Sequence, residues 1–257
     1  MHPMKKTALL AAAAAMMMAT PAAAQGYLGL EYGNGSVDVG VDQDLDLWQG
    51  EGAFGFGGTT NWGGQFDASI GNGSADTGDA DFWTLGGHLW WQGSGWRLGG
   101  VVTTTSIDDG GSIDETQYGV EGSYDFGPNT SLWSSYTMGE VDSGGASADL
   151  SNWDIGANFY ASPNVRIGGF IGFGSIDIAG DVDTTSWGIN GEFQPWSAPI
   201  SITAGWNNFE IEDANIEANA FTIGARWNFG GGPLQERNTS TPFDTNTGYV
   251  NRLYGVW

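Results

Sequence analysis

No cysteine occurs among the 257 residues. The chain therefore holds no disulfide, no thiolate metal ligand and no thiol nucleophile. Positive charge is nearly as scarce, with 7 Lys and Arg against 30 Asp and Glu and a formal net charge of −23. So acidic a surface repels a phosphate backbone, which excludes nucleic acid as a partner. Histidine occurs only at His2 and His88, which leaves little material for acid–base chemistry. The absence with the largest structural consequence is that of a long apolar run. Past the first residues, nothing approaches the roughly 18 to 20 consecutive apolar residues of a transmembrane helix. If the chain enters a bilayer it must do so as a closed barrel, because only helices and closed barrels satisfy every backbone N–H and C=O in hydrocarbon.

The N-terminus carries Lys5 and Lys6, an apolar stretch from Ala8 to Ala19, and then small residues at Ala22, Ala23 and Ala24. That order is the mark of a secretory signal, cleaved after Ala24, and the apolar part is too short to span a bilayer. Residues 1–24 are set apart on this ground, residues 25–229 are assigned to the folded domain, and 230–257 to a C-terminal tail. Losing Lys5 and Lys6 moves the formal charge from −23 to −25, since residues 1–24 contain no Asp or Glu.

What the chain does have is glycine (44), tryptophan (13) and a repeat. Aromatic residues recur at Trp48, Trp83, Tyr118, Trp153, Trp187 and Phe221, spaced 35, 35, 35, 34 and 34 residues apart. Each unit reads as two strands. From Trp83, the residues Leu85, Gly87, Leu89 and Trp91 share one face; after Gly93-Ser94-Gly95, Trp96, Leu98, Gly100 and Val102 share one face of the next. A period of two belongs to strands. Counted this way, the spacing predicts an even set of about twelve antiparallel strands of about 10 or 11 residues, the length that crosses a bilayer at a tilt. Five short turns are expected on one rim. On the other, six longer acidic connections such as Asn72 to Ala80 and Ser175 to Asp183 are expected to form extracellular loops.

Two aromatic belts follow from the same alignment. Trp48, Trp83, Tyr118, Trp153, Trp187 and Phe221 would ring the loop side, and Trp96, Phe126, Phe159, Phe193, Trp227 and Phe229 the turn side, as headgroup-level girdles. The fold class is therefore all-β, a closed antiparallel transmembrane barrel with outer-membrane lipids against its apolar face. Alternation by itself does not say which face is inside, so a soluble barrel, sandwich or solenoid stays open at this point.

The segment Thr222-Ile223-Gly224-Ala225-Arg226-Trp227-Asn228-Phe229 resembles the closing strand of bacterial outer-membrane β-barrels: a polar residue, a Gly two later, and an end on Phe. The resemblance implies a small porin-like protein of the Gram-negative outer membrane, and the barrel-assembly machinery as a transient partner. In that family the strand ends the chain, whereas here Gly230 to Trp257 follow. Gly230-Gly231-Gly232-Pro233 reads as a linker. The rest is expected to be a loosely ordered periplasmic tail, with a plug entering the barrel and an extra edge segment as alternatives.

With apolar residues turned to lipid, the opposite face carries Glu31, Glu51, Asp67, His88, Arg97, Glu121, Asp125, Asp154, Arg166, Glu192 and Arg226, the candidate pore lining. The three arginines of the barrel all fall on it, which agrees with this phase, because a charge facing lipid at mid-bilayer costs about 2–4 kcal/mol. Inward glycines such as Gly63, Gly99, Gly119, Gly156, Gly168, Gly172, Gly188 and Gly205 leave room along the wall or permit sharp curvature. The expected function is passive diffusion of small hydrophilic solutes, with a preference for cations set by the inner carboxylates and the acidic loops. The alternative is a non-conducting structural or surface-binding barrel. An outer-membrane lipid hydrolase is disfavoured: His88 falls on the inner face toward the turn side, away from the outer leaflet. No cofactor is expected. Asp42-Gln43-Asp44-Leu45-Asp46 matches the first half of a calcium-hand loop, but Leu47 stands where that loop needs Gly and Ala53 where it needs Glu, so no metal site is assigned.

Overall fold

Alternating side chains along each segment, one apolar and one polar or small, give every strand two dissimilar faces, and a closed wall lets each face have its own solvent. The computed structural model describes residues 24–57, 61–76, 78–177, 180–195, 198–212, 214–237 and 242–243. Twelve strands run β1 (Ala24–Asp38), β2 (Asp42–Phe56), β3 (Trp62–Ala75), β4 (Gly78–Gly93), β5 (Trp96–Asp108), β6 (Ser112–Asp125), β7 (Thr130–Ser143), β8 (Ala146–Ser162), β9 (Val165–Asp177), β10 (Asp181–Phe193), β11 (Ile200–Ile211) and β12 (Ile216–Phe229). Each pairs antiparallel with its sequence neighbours. β1 and β12 close the barrel from Gly26↔Phe229 to Asp38↔Glu217, so no strand edge stays open. One short helix follows, α1 (Leu234–Arg237). The expected cleavage segment lies outside the described residues up to position 23, and Ala24 opens β1. Residues 58–60, between β2 and β3, also lie outside them.

The strands run 12 to 17 residues, longer than expected, and nearly all of the added length is on the loop side. The connections predicted there are largely strand. Asn72 pairs with Asp81 and Ala75 with Gly78, while Ser175 pairs with Asp183 and Asp177 with Asp181. What remains between strands is as short as Gly144-Gly145, whose φ values of 60° and 94° suit the two central positions of a type I′ hairpin turn. Asp, Asn and Gly are poor strand formers singly. Here each backbone group already has a neighbour on both sides, and the ladder runs on. The acidic residues expected in long loops therefore stand mostly on the projecting ends of the strands.

The two faces divide sharply. Leu30 is 71 % exposed on the outer face, whereas Gln117 and Asp154 are 1 % exposed on the inner one. Leu98, Val120, Ile167, Ile189 and Ile223 join Leu30 in an apolar outer band much larger than a water-soluble surface tolerates. Polar inside and apolar outside is the arrangement of a wall that faces hydrocarbon.

Candidate functional site

The lumen is built in three layers, each set by which residues the alternation sends inward at that height. At the loop rim the inward residues are apolar. Leu47, Ala80, Phe82 and Ile107 form one buried cluster with Ile113 beside it, and Ala148, Leu150, Ile176 and Phe209 form a second with Ile211. Val141 packs against both and joins them. None of these was expected inside, because apolar side chains were all assigned to lipid. The alternation does carry the signal: Phe82 and Trp90 precede Trp83 and Trp91 and so must face the other way.

The middle layer is polar, and many of its side chains pair with one another. Gln49 Nε2 donates to Glu31 at 3.0 Å, Thr137 Oγ1 donates to Gln117 at 2.7 Å, and the hydroxyls of Thr84 and Thr105 lie 3.0 Å apart. Asn152 donates to Asp154, and Gln117 to Glu115. His88 stands between two carboxylates, with Nε2 3.0 Å from Asp67 Oδ2 and Nδ1 2.8 Å from Glu121 Oε1. Buried polar groups paired in this way stiffen an interior, since an unmade bond there costs more than a made one gains.

At the turn rim the charges pair. Arg226 Nε donates to Glu51 Oε1 at 2.7 Å and its Nη2 to Oε2 at 3.3 Å, while Nη1 reaches Glu192 Oε2 at 3.3 Å. The guanidinium also lies 4.2 Å over the ring of Tyr27. Arg166 approaches Glu192 at 3.6 Å, and Ser201 donates to the same carboxylate at 2.5 Å. Across the lumen, Arg97 Nη1 meets Asp125 Oδ2 and Ser123 Oγ, each at 3.2 Å. A cavity of about 290 Å³ opens here, lined by Arg97, Asp125, Trp133, Arg166, Gln235 and Glu236.

The eleven candidate lining residues thus all lie on the inner face, but they form two groups. Glu31, Asp67, His88, Glu121 and Asp154 belong to the middle layer, and Glu51, Arg97, Asp125, Arg166, Glu192 and Arg226 to the turn rim. The belt aromatics face outward. Trp48, Tyr118, Trp153, Trp187 and Phe221 are exposed toward the loop side, with Trp83 half-buried among them. Phe126, Phe159, Phe193 and Trp227 are exposed toward the turn side, where Trp96 and Phe229 are half-buried. Trp96 packs edge-on against Trp91 at 5.3 Å.

Several inward glycines do not leave empty room. A Cβ on Gly63 would strike the Trp90 ring, one on Gly156 the Trp133 ring, one on Gly188 the Phe170 ring and one on Gly71 the Phe82 ring. Each of these glycines is the direct cross-strand partner of the aromatic it accommodates. Others, such as Gly119 and Gly139, lie where the neighbouring backbone comes too close for any side chain, in keeping with a sharply curved wall.

Of the tail, residues 230–237 and 242–243 are described, and they pack against the barrel in the manner of the plug alternative. Leu234 is buried, the Gln235 N–H donates to the Pro163 carbonyl at 2.9 Å, and Arg237 donates to Gln194. Phe243 is buried against His88 and Trp90. Residues 238–241 and 244–257 lie outside the described residues.

No curated protein matches the sequence. Among solved structures, the translocator domain of the autotransporter NalP from Neisseria meningitidis superposes with a TM-score of 0.55 at 12% identity, covering 88% of this chain and 95% of that one. An outer-membrane channel from Pseudomonas putida F1 gives 0.57 at 14% identity, covering 82% and 97%. The NanC porin gives 0.54 at 10% identity, covering 77% and 98%. At such identities the likeness is one of fold. The sequence itself matches the family model for the outer membrane protein beta-barrel domain over residues 90–229, more than half of the chain. The polar-lined, lipid-facing twelve-strand wall is therefore that of an outer-membrane protein, and the chain belongs to the outer membrane protein β-barrel domain family.

Proposed function

We propose that the protein is a narrow, cation-preferring channel for small hydrophilic solutes, held shut in the state described here. The observation that carries this reading is the polar inner face that continues from Glu31 and Gln49 through Asp67, His88 and Glu121 to the ion pairs of the turn rim. Twelve strands enclose more width than the eight-strand size that side chains fill unaided. The inner acids Glu31, Glu51, Asp67, Glu115, Glu121, Asp125, Asp154 and Glu192 outnumber Arg97, Arg166 and Arg226, which favours cations. A porin and a channel among barrels of the same fold support the reading. A permanently open pore is not proposed, because the apolar layer at the loop rim excludes water. The protein acts without catalysis on this proposal, its outward belts against outer-membrane lipids and the barrel-assembly machinery as a transient partner in folding.

A second reading has one specific observation behind it. Leu47, Ile107 and Phe209 are each 1 % exposed, packing that suits a barrel that never conducts and serves as a structural element. Planar-bilayer recording separates the two. The channel reading expects steps in the full-length protein or in Leu47→Ser/Phe209→Ser, with a reversal potential directed by the cation gradient. Silence in both, with the barrel folded, would favour the structural one.

A further inference from the structure

The chain past the wall returns to the lumen. Gly230, Gly231 and Gly232 have φ values of 98°, 73° and 84°, a left-handed run that other residues rarely adopt, and they redirect the backbone where β12 ends. α1 then lies under the β8–β9 turn, with the Gln235 N–H on the Pro163 carbonyl at 2.9 Å and the Gln235 side chain on the Pro128 carbonyl. Arg237 is buried and donates to Gln194 just beyond β10. Phe243 reaches higher. Its ring stacks on the His88 imidazole at 5.8 Å with 5° between planes and meets Trp90 edge-on at 5.6 Å and 70°. Its carbonyl accepts a hydrogen bond from Gln65 Nε2 at 2.6 Å.

The residues that receive it are arranged for an aromatic ring. Gln65 and His88 are direct cross-strand partners on β3 and β4, so they offer one polar donor and one flat face side by side. Glu121 holds the imidazole Nδ1 by a hydrogen bond at 2.8 Å and Asp67 Oδ2 lies 3.0 Å from Nε2, which restricts the tilt of that face. Trp90 is laid flat by the bare backbone of Gly63. The rest of the middle layer is polar, so an apolar ring placed elsewhere at this height would lose hydration without gaining a packed partner.

We propose that the described part of the tail, residues 230–237 and 242–243, is an intramolecular plug, with Phe243 seated in a socket of Gln65, His88 and Trp90 and with Arg237 fastened to Gln194 at the rim. Its release opens the turn-side end of the lumen. The seating stands on these contacts alone; the gating rests on the channel reading above.

Trypsin provides the test. Arg97, Arg166 and Arg226 lie within the wall, so Arg237 and Arg252 are the arginines of the tail. In the folded, full-length protein the bond after Arg237 is expected to resist cleavage. In Phe243→Ala it should be cut on the order of tenfold faster or more, because cleavage follows the population of the released tail. Intact-mass analysis identifies the cut, and an unchanged heat shift on a denaturing gel shows the wall still folded. Cleavage after Arg237 as fast in the natural sequence as in Phe243→Ala would overturn the plug. Bilayer recording of the same two proteins reads the gate, with open time expected to rise in Phe243→Ala. Equal open time in two conducting proteins would overturn the gate. Silence of both, with protection lost only in Phe243→Ala, would uphold the seat; the gate is then read in the Leu47→Ser/Phe209→Ser background, where silence with and without Phe243→Ala would count against the channel reading.

Discussion

The two rims of the barrel handle charge in opposite ways. At the loop rim the acids stand outside, on the projecting strands, with no lysine or arginine among the described residues at that end of the wall. The register even places like charges side by side. Glu140, Asp149, Asp177 and Asp181 are successive cross-strand partners across β7 to β10, and Glu210, Glu217, Asp38 and Asp42 across β11, β12, β1 and β2. At the turn rim the charges are inside, and Arg97, Arg166 and Arg226 each have a carboxylate within 4 Å. The difference follows from the surrounding medium. Water and salt weaken repulsion between exposed acids to a small cost, whereas an unpaired charge in a dry interior is far more expensive.

Removing one buried partner should therefore have the largest effect. Arg226→Ala leaves Glu51 without its cation and Glu192 with only the more distant Arg166, and about 3 kcal/mol of stability should be lost, read from urea unfolding in detergent micelles. Adding Glu51→Gln should recover part of it; no recovery would mean that the loss is one of packing and not of charge. A smaller effect tests how full the same half of the lumen is. Gly156→Ala drives a methyl into the Trp133 ring and should cost about 1–3 kcal/mol in the same measurement. A neutral result would show the ring free to move aside. The smallest effect belongs to the loop rim. Asp177→Asn removes the charge between Asp149 and Asp181 and should raise stability by about 0.2–1 kcal/mol at low ionic strength. The gain should fade at high salt, and a gain that persisted there would place these acids in a drier setting than water.

The strand number, the order of pairing and the outward series from Trp48 to Phe221 could be read in the sequence because each rests on a period, and a period survives without knowledge of neighbours. The inward phase of His88 and the three arginines came from the same rule. The loop rim did not, for two reasons. Asp- and Gly-rich stretches such as Asn72–Ala80 look like loops until closure supplies partners on both sides. Leu47, Phe82 and Phe209 look like lipid-facing residues unless the alternation is followed one residue further than the belts. The plug was least legible. Leu234 to Phe243 has no period, and the side chains that receive Phe243 lie on β3 and β4, far away in the chain.

The pairing of a bare backbone with a ring on the adjacent strand has a bearing on assembly. Gly63 with Trp90, Gly71 with Phe82, Gly156 with Trp133 and Gly188 with Phe170 work as keys and keyways cut at single positions. Sliding β4 along β3 by two residues would keep every side chain on its proper side, so polarity alone would not detect the error. It would, however, set Trp90 against Gln65 or Asn61, where no keyway exists. A wall assembled with such a slip would be caught by shape at the moment of zipping, before its last seam could meet its first.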